Sequence, residues 1–63
     1  MTLLIPYAHW FTVSQWFTHN YFDQRDYSHV HIQDMIAITF VRADTYARFY
    51  TAWQHIICVD NEG

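Results

Sequence analysis

A chain of 63 residues with 21% aromatic and only 14% charged side chains, at a formal charge of −3, has too much apolar bulk for disorder and too little positive charge for a phosphate track. The fixed cations are Arg25, Arg42 and Arg48, there is no lysine, and six acids are too sparse to imitate a nucleic acid. One cysteine excludes an internal disulfide, a single glycine (Gly63) excludes a glycine-rich phosphate loop, and no apolar run approaches the roughly 20 residues that cross a bilayer.

Taken from the first residue, Thr2 to Ile5 reads as a short edge strand closed by Pro6, which cannot donate to a ladder. Thr12 and Gln15 have the spacing of a capping box, with Phe11 and Trp16 placed as a hydrophobic staple. They predict a helix over Val13 to Phe22, with Val13, Trp16, Phe17 and Tyr21 on one face. A longer helix starting at Tyr7 is the alternative, since proline is tolerated just inside a helix start. Asp23 to Ser28 is the most polar stretch and reads as a surface loop. From His29 to Gln33 the sequence alternates, Val30 and Ile32 on one side and the two histidines on the other. Either the chain turns at Gln33-Asp34 into a hairpin, or one bent strand runs from His29 to Val41.

Met35 to Val41 is the central strand. Ile36, Ile38 and Phe40 share one face; the other is small and mildly polar, and is expected to be covered too. Asp44 then caps a second helix. Its apolar stripe is Tyr46, Phe49, Tyr50, Trp53, Ile56 and Ile57, and Thr45, Arg48, Thr51, Gln54 and His55 lie opposite. The tail from Val59 to Gly63 is polar and expected to fray. These elements predict an α+β fold over 1–63 as a single domain, with two helices on one face of a short antiparallel sheet. The alternative is a mostly helical dimer whose first helix runs from Pro6 to Phe22. The first residues lack the pattern of a secretory leader, so a cytoplasmic location is expected.

Five histidines are present. His29 and His31 share a strand face and could chelate zinc or another divalent transition metal, with Asp26, Asp34 or His19 as a further ligand; a solvated strand pair is the simpler interpretation. Histidine titrates near neutral pH, which by itself brings some pH sensitivity. Cys58 has no catalytic signature around it and is expected to be a small buried group. Asp23, Asp26 and Asp34 fit solvated turn positions better than an acid–base pair. A chain this short leaves little room for a supported catalytic pocket, so no enzyme is expected.

The aromatic residues carry the functional expectation. Phe17, Phe40, Phe49 and Trp53 belong in a core, but a core of this size is not expected to hide all thirteen rings. Tyr7, Trp10, Phe11, Trp16, Phe22 and Tyr27 flank the first helix and are the candidates for a surface that docks on a partner protein, with Tyr46 and Tyr50 available for a dimer seam. The expected function is a non-enzymatic protein-binding module, of the general type of a short phage-encoded inhibitor of a host enzyme, and self-association is expected. A metal-binding module is the alternative. A single-stranded nucleic-acid binder using stacked rings is weaker, because no basic groove accompanies the rings.

Overall fold

The computed structural model describes residues 1–61. The chain runs β1 (Thr2–Pro6), a 3-10 turn (Tyr7–His9), α1 (Trp10–His19), β2 (Tyr27–Ile32), β3 (Met35–Phe40), α2 (Ala43–Trp53), a second 3-10 turn (Gln54–Ile56) and β4 (Val59–Asn61). The four strands lie in the order β2-β3-β1-β4, every neighbouring pair antiparallel. This is the split β-α-β arrangement, in which each helix crosses the same face of the sheet. The expected α+β architecture is therefore present, with helix after strand in both halves.

The period-2 pattern divides the sheet cleanly. Leu3, Ile5, Ile36, Ile38 and Phe40 point to the helices and are buried, where Val13 and Phe17 of α1, Phe49 of α2 and Ile56 meet them. The opposite face bears no helix. Its rows are Thr2–Thr39–Ser28, Leu4–Ala37–Val30 and Pro6–Met35–Ile32. Met35 and Ala37 are half-buried and Thr39 is exposed, so the second face of the central strand is open rather than covered.

Phe17 lies at the centre of the core. Its ring stacks parallel to Tyr27 at 3.8 Å and to Phe49 at 5.5 Å, and edges of Trp16 and Phe22 close around it. Such pairs add about 0.5–1.5 kcal/mol each beyond the area they bury. Trp10, Trp16, Phe22, Tyr27, Tyr46 and Trp53 pack around this centre while staying partly accessible.

Several boundaries differ from expectation. β1 is interior, between β3 and β4, not an edge strand. Pro6 is tolerated because β4 reaches only Thr2, Leu3 and Leu4, leaving no acceptor opposite its missing N–H. The chain then turns at once: Pro6 precedes the 3-10 turn at φ −63 and ψ 138, so the helix is under way at Trp10 and Thr12 lies inside it. No capping box forms, and the N-cap is His9 without a side-chain bond. At the other end α1 stops at His19 instead of Phe22. Tyr21 takes φ 63, its N–H donates to Thr18 O, and the Phe22 N–H donates to Phe17 O at 2.9 Å. That is a Schellman close, completed by the Phe22–Phe17 ring contact at 6.2 Å.

The strand after the loop starts at Tyr27, and Ile32 pairs with Met35, so Gln33-Asp34 is a two-residue hairpin turn and the single long strand does not form. Asp44 is not the cap of α2. Arg42 holds that position, and Asp44 sits in the first turn, paired to Arg42 at 3.1 Å. Thr45, placed on the outer side by periodicity, is buried, whereas Tyr50 is exposed. The stripe therefore rotates by part of a turn, and the α-helix tightens into the 3-10 turn before Ile56. Val59–Asn61 pairs with β1 as β4 instead of fraying; Glu62 and Gly63 lie outside the described residues.

Candidate protein-binding surface

The edge strand β2 and the segment from Tyr7 to Phe11 form one surface. Pro6 sends the chain across the end of the sheet, and the Tyr7 N–H donates to Asp34 O at 2.8 Å, tying the 3-10 turn to the hairpin. That bond brings Tyr7 over β2, where its ring lies flat on His31 at 4.1 Å and 6°. One turn on, Trp10 covers His29 at 4.5 Å. Both histidines thus stand on the helix side of β2, held by rings from the segment that follows β1. Phe11 points away from the core and is 72% exposed; Tyr7 is 49% exposed. On the other side of the same strand, Val30 and Ile32 are 59% and 51% exposed. The stretches 7–11 and 28–32 contain no Asp, Glu, Lys or Arg.

Of the six aromatic residues named from sequence, the structure brings Tyr7 and Trp10 together on β2 and puts Phe11 beside them. Trp16 and Phe22 sit elsewhere, and Tyr27 begins β2 beside His29, 6.4 Å between ring centres, but turns inward. Trp16 lies between the helices, its ring edge-on to Phe49 at 5.8 Å and to Trp53 at 6.4 Å. Phe22 closes α1 under the Arg48 guanidinium, 5.0 Å from the ring centre. Tyr27 stacks on Phe17, and burial, with a smaller push from Asp23, holds its phenol above the ordinary tyrosine range.

Val30 and Ile32 were not among the sequence candidates. Their signal was present, since YSHVHI has strand-forming residues with no charge, proline or glycine to guard an edge. Which strand lies at the edge is a property of topology, and the sequence alone does not contain it.

The remaining candidates do not assemble into chemistry. Among the described residues no group of three or more His, Cys, Asp or Glu side chains comes together, so Asp26, Asp34 and His19 do not complete a set with His29 and His31. Cys58 is exposed, contrary to expectation, because β4 begins just after it and carries it past the core. Asp23 accepts from the Arg25 guanidinium at 3.2 Å and from the Arg25 backbone N–H at 2.9 Å, which together lower the carboxyl below its usual range. Asp44 is lowered by the Arg42 guanidinium, with backbone N–H groups of Thr45 and of Asp44 itself adding to the effect. Arg48 donates to Asn20 Oδ1 at 2.8 Å and links α2 to the end of α1. The three arginines thus lie at separate points, Arg25 and Arg42 on carboxylates two residues away and Arg48 on Asn20, and no basic track forms.

No family model, curated protein or solved structure matches this chain. The split β-α-β arrangement hosts many unrelated activities and assigns none, so the function rests on the geometry of this surface.

Proposed function

We propose that the protein is a non-enzymatic binding module that docks the ring surface of Tyr7, Trp10 and Phe11 onto an apolar, weakly charged face of another protein. The observation that carries this reading is Phe11, 72% exposed one helical turn from a half-exposed Tyr7. A large ring with no ring partner among the described residues lies beside two that are already held in place. Tyr7 and Trp10 are fixed by His31 and His29, so they lose little freedom on binding. The absence of formal charge over 7–11 and 28–32 matches a partner face that is itself poor in charge. Contact of this kind blocks a partner's working surface without any chemistry, which is how a small inhibitor acts.

The test is comparative capture. The tagged chain is used to retain proteins from its native host, alongside Phe11→Ser and Tyr7→Ser. A partner held by the native chain should be retained about 30-fold less by Phe11→Ser, the scale of losing one interface anchor of about 2 kcal/mol. The melting temperatures should stay close, because Phe11 is not part of the core. A partner retained equally by both variants rules out this surface.

A further inference from the structure

Beyond that heterologous contact, we propose that β2 is an open pairing edge on which a second copy of this chain docks antiparallel, joining two four-stranded sheets into one continuous sheet. The first support is the phase of the ladder. Phe40 N–H donates to Met1 O at 2.8 Å, so Phe40 turns its backbone toward β1, and Val41 N–H donates to Asp26 O at 2.9 Å, so Asp26 bonds toward β3. Antiparallel strands alternate bonded and non-bonded pairs. Ser28, Val30 and Ile32 therefore bond to β3, and Tyr27, His29 and His31 turn their N–H and C=O outward. The Tyr27 N–H bears this out by bonding Asp23 O in the loop at 3.3 Å. Among the described residues, what remains on the outer edge is the C=O of Tyr27 and then the N–H and C=O of His29 and of His31, the four histidine groups lying in a row.

Such an edge is normally guarded by lysine, proline, a bulge or a covering loop. Here there is no lysine in the chain, and Tyr27–Ile32 has no proline, glycine or charged residue. The histidine side chains are held by Tyr7 and Trp10, so the backbone between them is ordered before any partner arrives.

The occupant follows from symmetry and charge. A two-fold axis through Val30, perpendicular to the sheet, sets His29 opposite His31 of the second copy, and the four outward histidine groups of each copy bond to the four of the other. The same operation sets Val30 against its own copy. The apolar row Leu4–Ala37–Val30 then continues without a break into the row of the other molecule. An edge without charge does not repel itself, whereas a reader of charged peptides would carry the opposite charge. A six-residue strand is about 20 Å long, and the smallest dimension of the molecule is 20 Å. The contact is thus about 400 Å² per copy, about half of what stable complexes bury. The dimer is consequently reversible and forms at high protein concentration.

Sedimentation equilibrium on the full chain, from about 10 μM to 1 mM, tests the proposal together with amide exchange at the same concentrations. The native chain should pass from monomer to dimer, and the His29 and His31 amides should gain protection as it does. Val30→Lys, which opposes two ammonium groups at the axis, and His29→Pro, which removes an outward donor, should both remain monomeric where the native chain is dimeric. Val30 is on the open face, so Val30→Lys keeps the fold and decides the matter if His29→Pro does not fold. A native chain that stays monomeric throughout overturns the proposal. So does a dimer that forms equally in Val30→Lys, or protection that rises elsewhere than on β2. Phe11→Ser should dimerise as the native chain does, which separates this edge from the ring surface that captures a partner.

Discussion

Tyr21 shows how much one residue can work against its own position. It sits at φ 63, in the left-handed region where a Cβ costs roughly 1–2 kcal/mol, and its side chain is 92% exposed, so packing returns almost nothing. It holds the place that glycine takes in most Schellman closes. Tyr21→Gly should therefore raise stability by about 0.5–1 kcal/mol, the relief of strain less the greater freedom of glycine in the unfolded chain. Tyr21→Ala, which keeps the Cβ, should change little. Urea unfolding of the three proteins measures this, and a Gly variant no more stable than the Ala variant would contradict it. From sequence, Tyr21 reads as a member of an apolar helix face. A run of aromatics carries no mark of where φ changes sign, because that change is imposed by Phe22 folding back on Phe17.

Elements were legible where periodicity was strong and less so at their ends. The strand Met35–Phe40 and the helix Ala43–Trp53 lie close to where alternation and the apolar stripe place them. The start of the first helix does not, because the local code of Thr12 and Gln15 competes with Pro6, and the proline acts earlier in the chain. The hairpin between β2 and β3 forms without the usual turn residues. Only its first turn residue, Gln33, has a positive φ, at 54. That pattern favours glycine at the first position alone. Gln33→Gly should stabilise the hairpin by about 0.5–1 kcal/mol, while Asp34→Gly, at a residue with ordinary φ, should be neutral or destabilising. Exchange rates of the amides across β2 and β3 would report the difference, and equal gains from both substitutions would refute this view of the turn.

At the scale of the whole molecule, stability depends on one ring. Phe17 joins α1 to β2 through Tyr27 and to α2 through Phe49. A domain of this length has on the order of 3–9 kcal/mol of stability, and removing a buried phenylalanine costs about 3–5 kcal/mol. Phe17→Ala should therefore be largely unfolded at 37 °C, with the near-ultraviolet dichroism of the tryptophans lost. Phe17→Leu, which keeps most of the volume but not the stacking, should fold with a lower melting temperature. A well-folded Phe17→Ala protein would show that the surrounding rings close over the gap and that the core is less centred than its geometry indicates.

Residue order alone determined that this chain has a strand feeding an amphipathic helix, a sheet with helices on one side, and more ring side chains than its interior conceals: Phe17, Phe40 and Phe49 are buried, and Tyr7, Phe11, Tyr21 and Tyr50 are exposed. Those properties follow from period and volume, which are local or additive. Tertiary structure decided which rings face outward, that β1 is interior, that β2 lies at an edge of the sheet, and that His31 and His29 lie under Tyr7 and Trp10. Each of these depends on which strands are neighbours. Strand neighbours are chosen by burial summed over the whole sheet, a quantity that no single stretch of the chain carries.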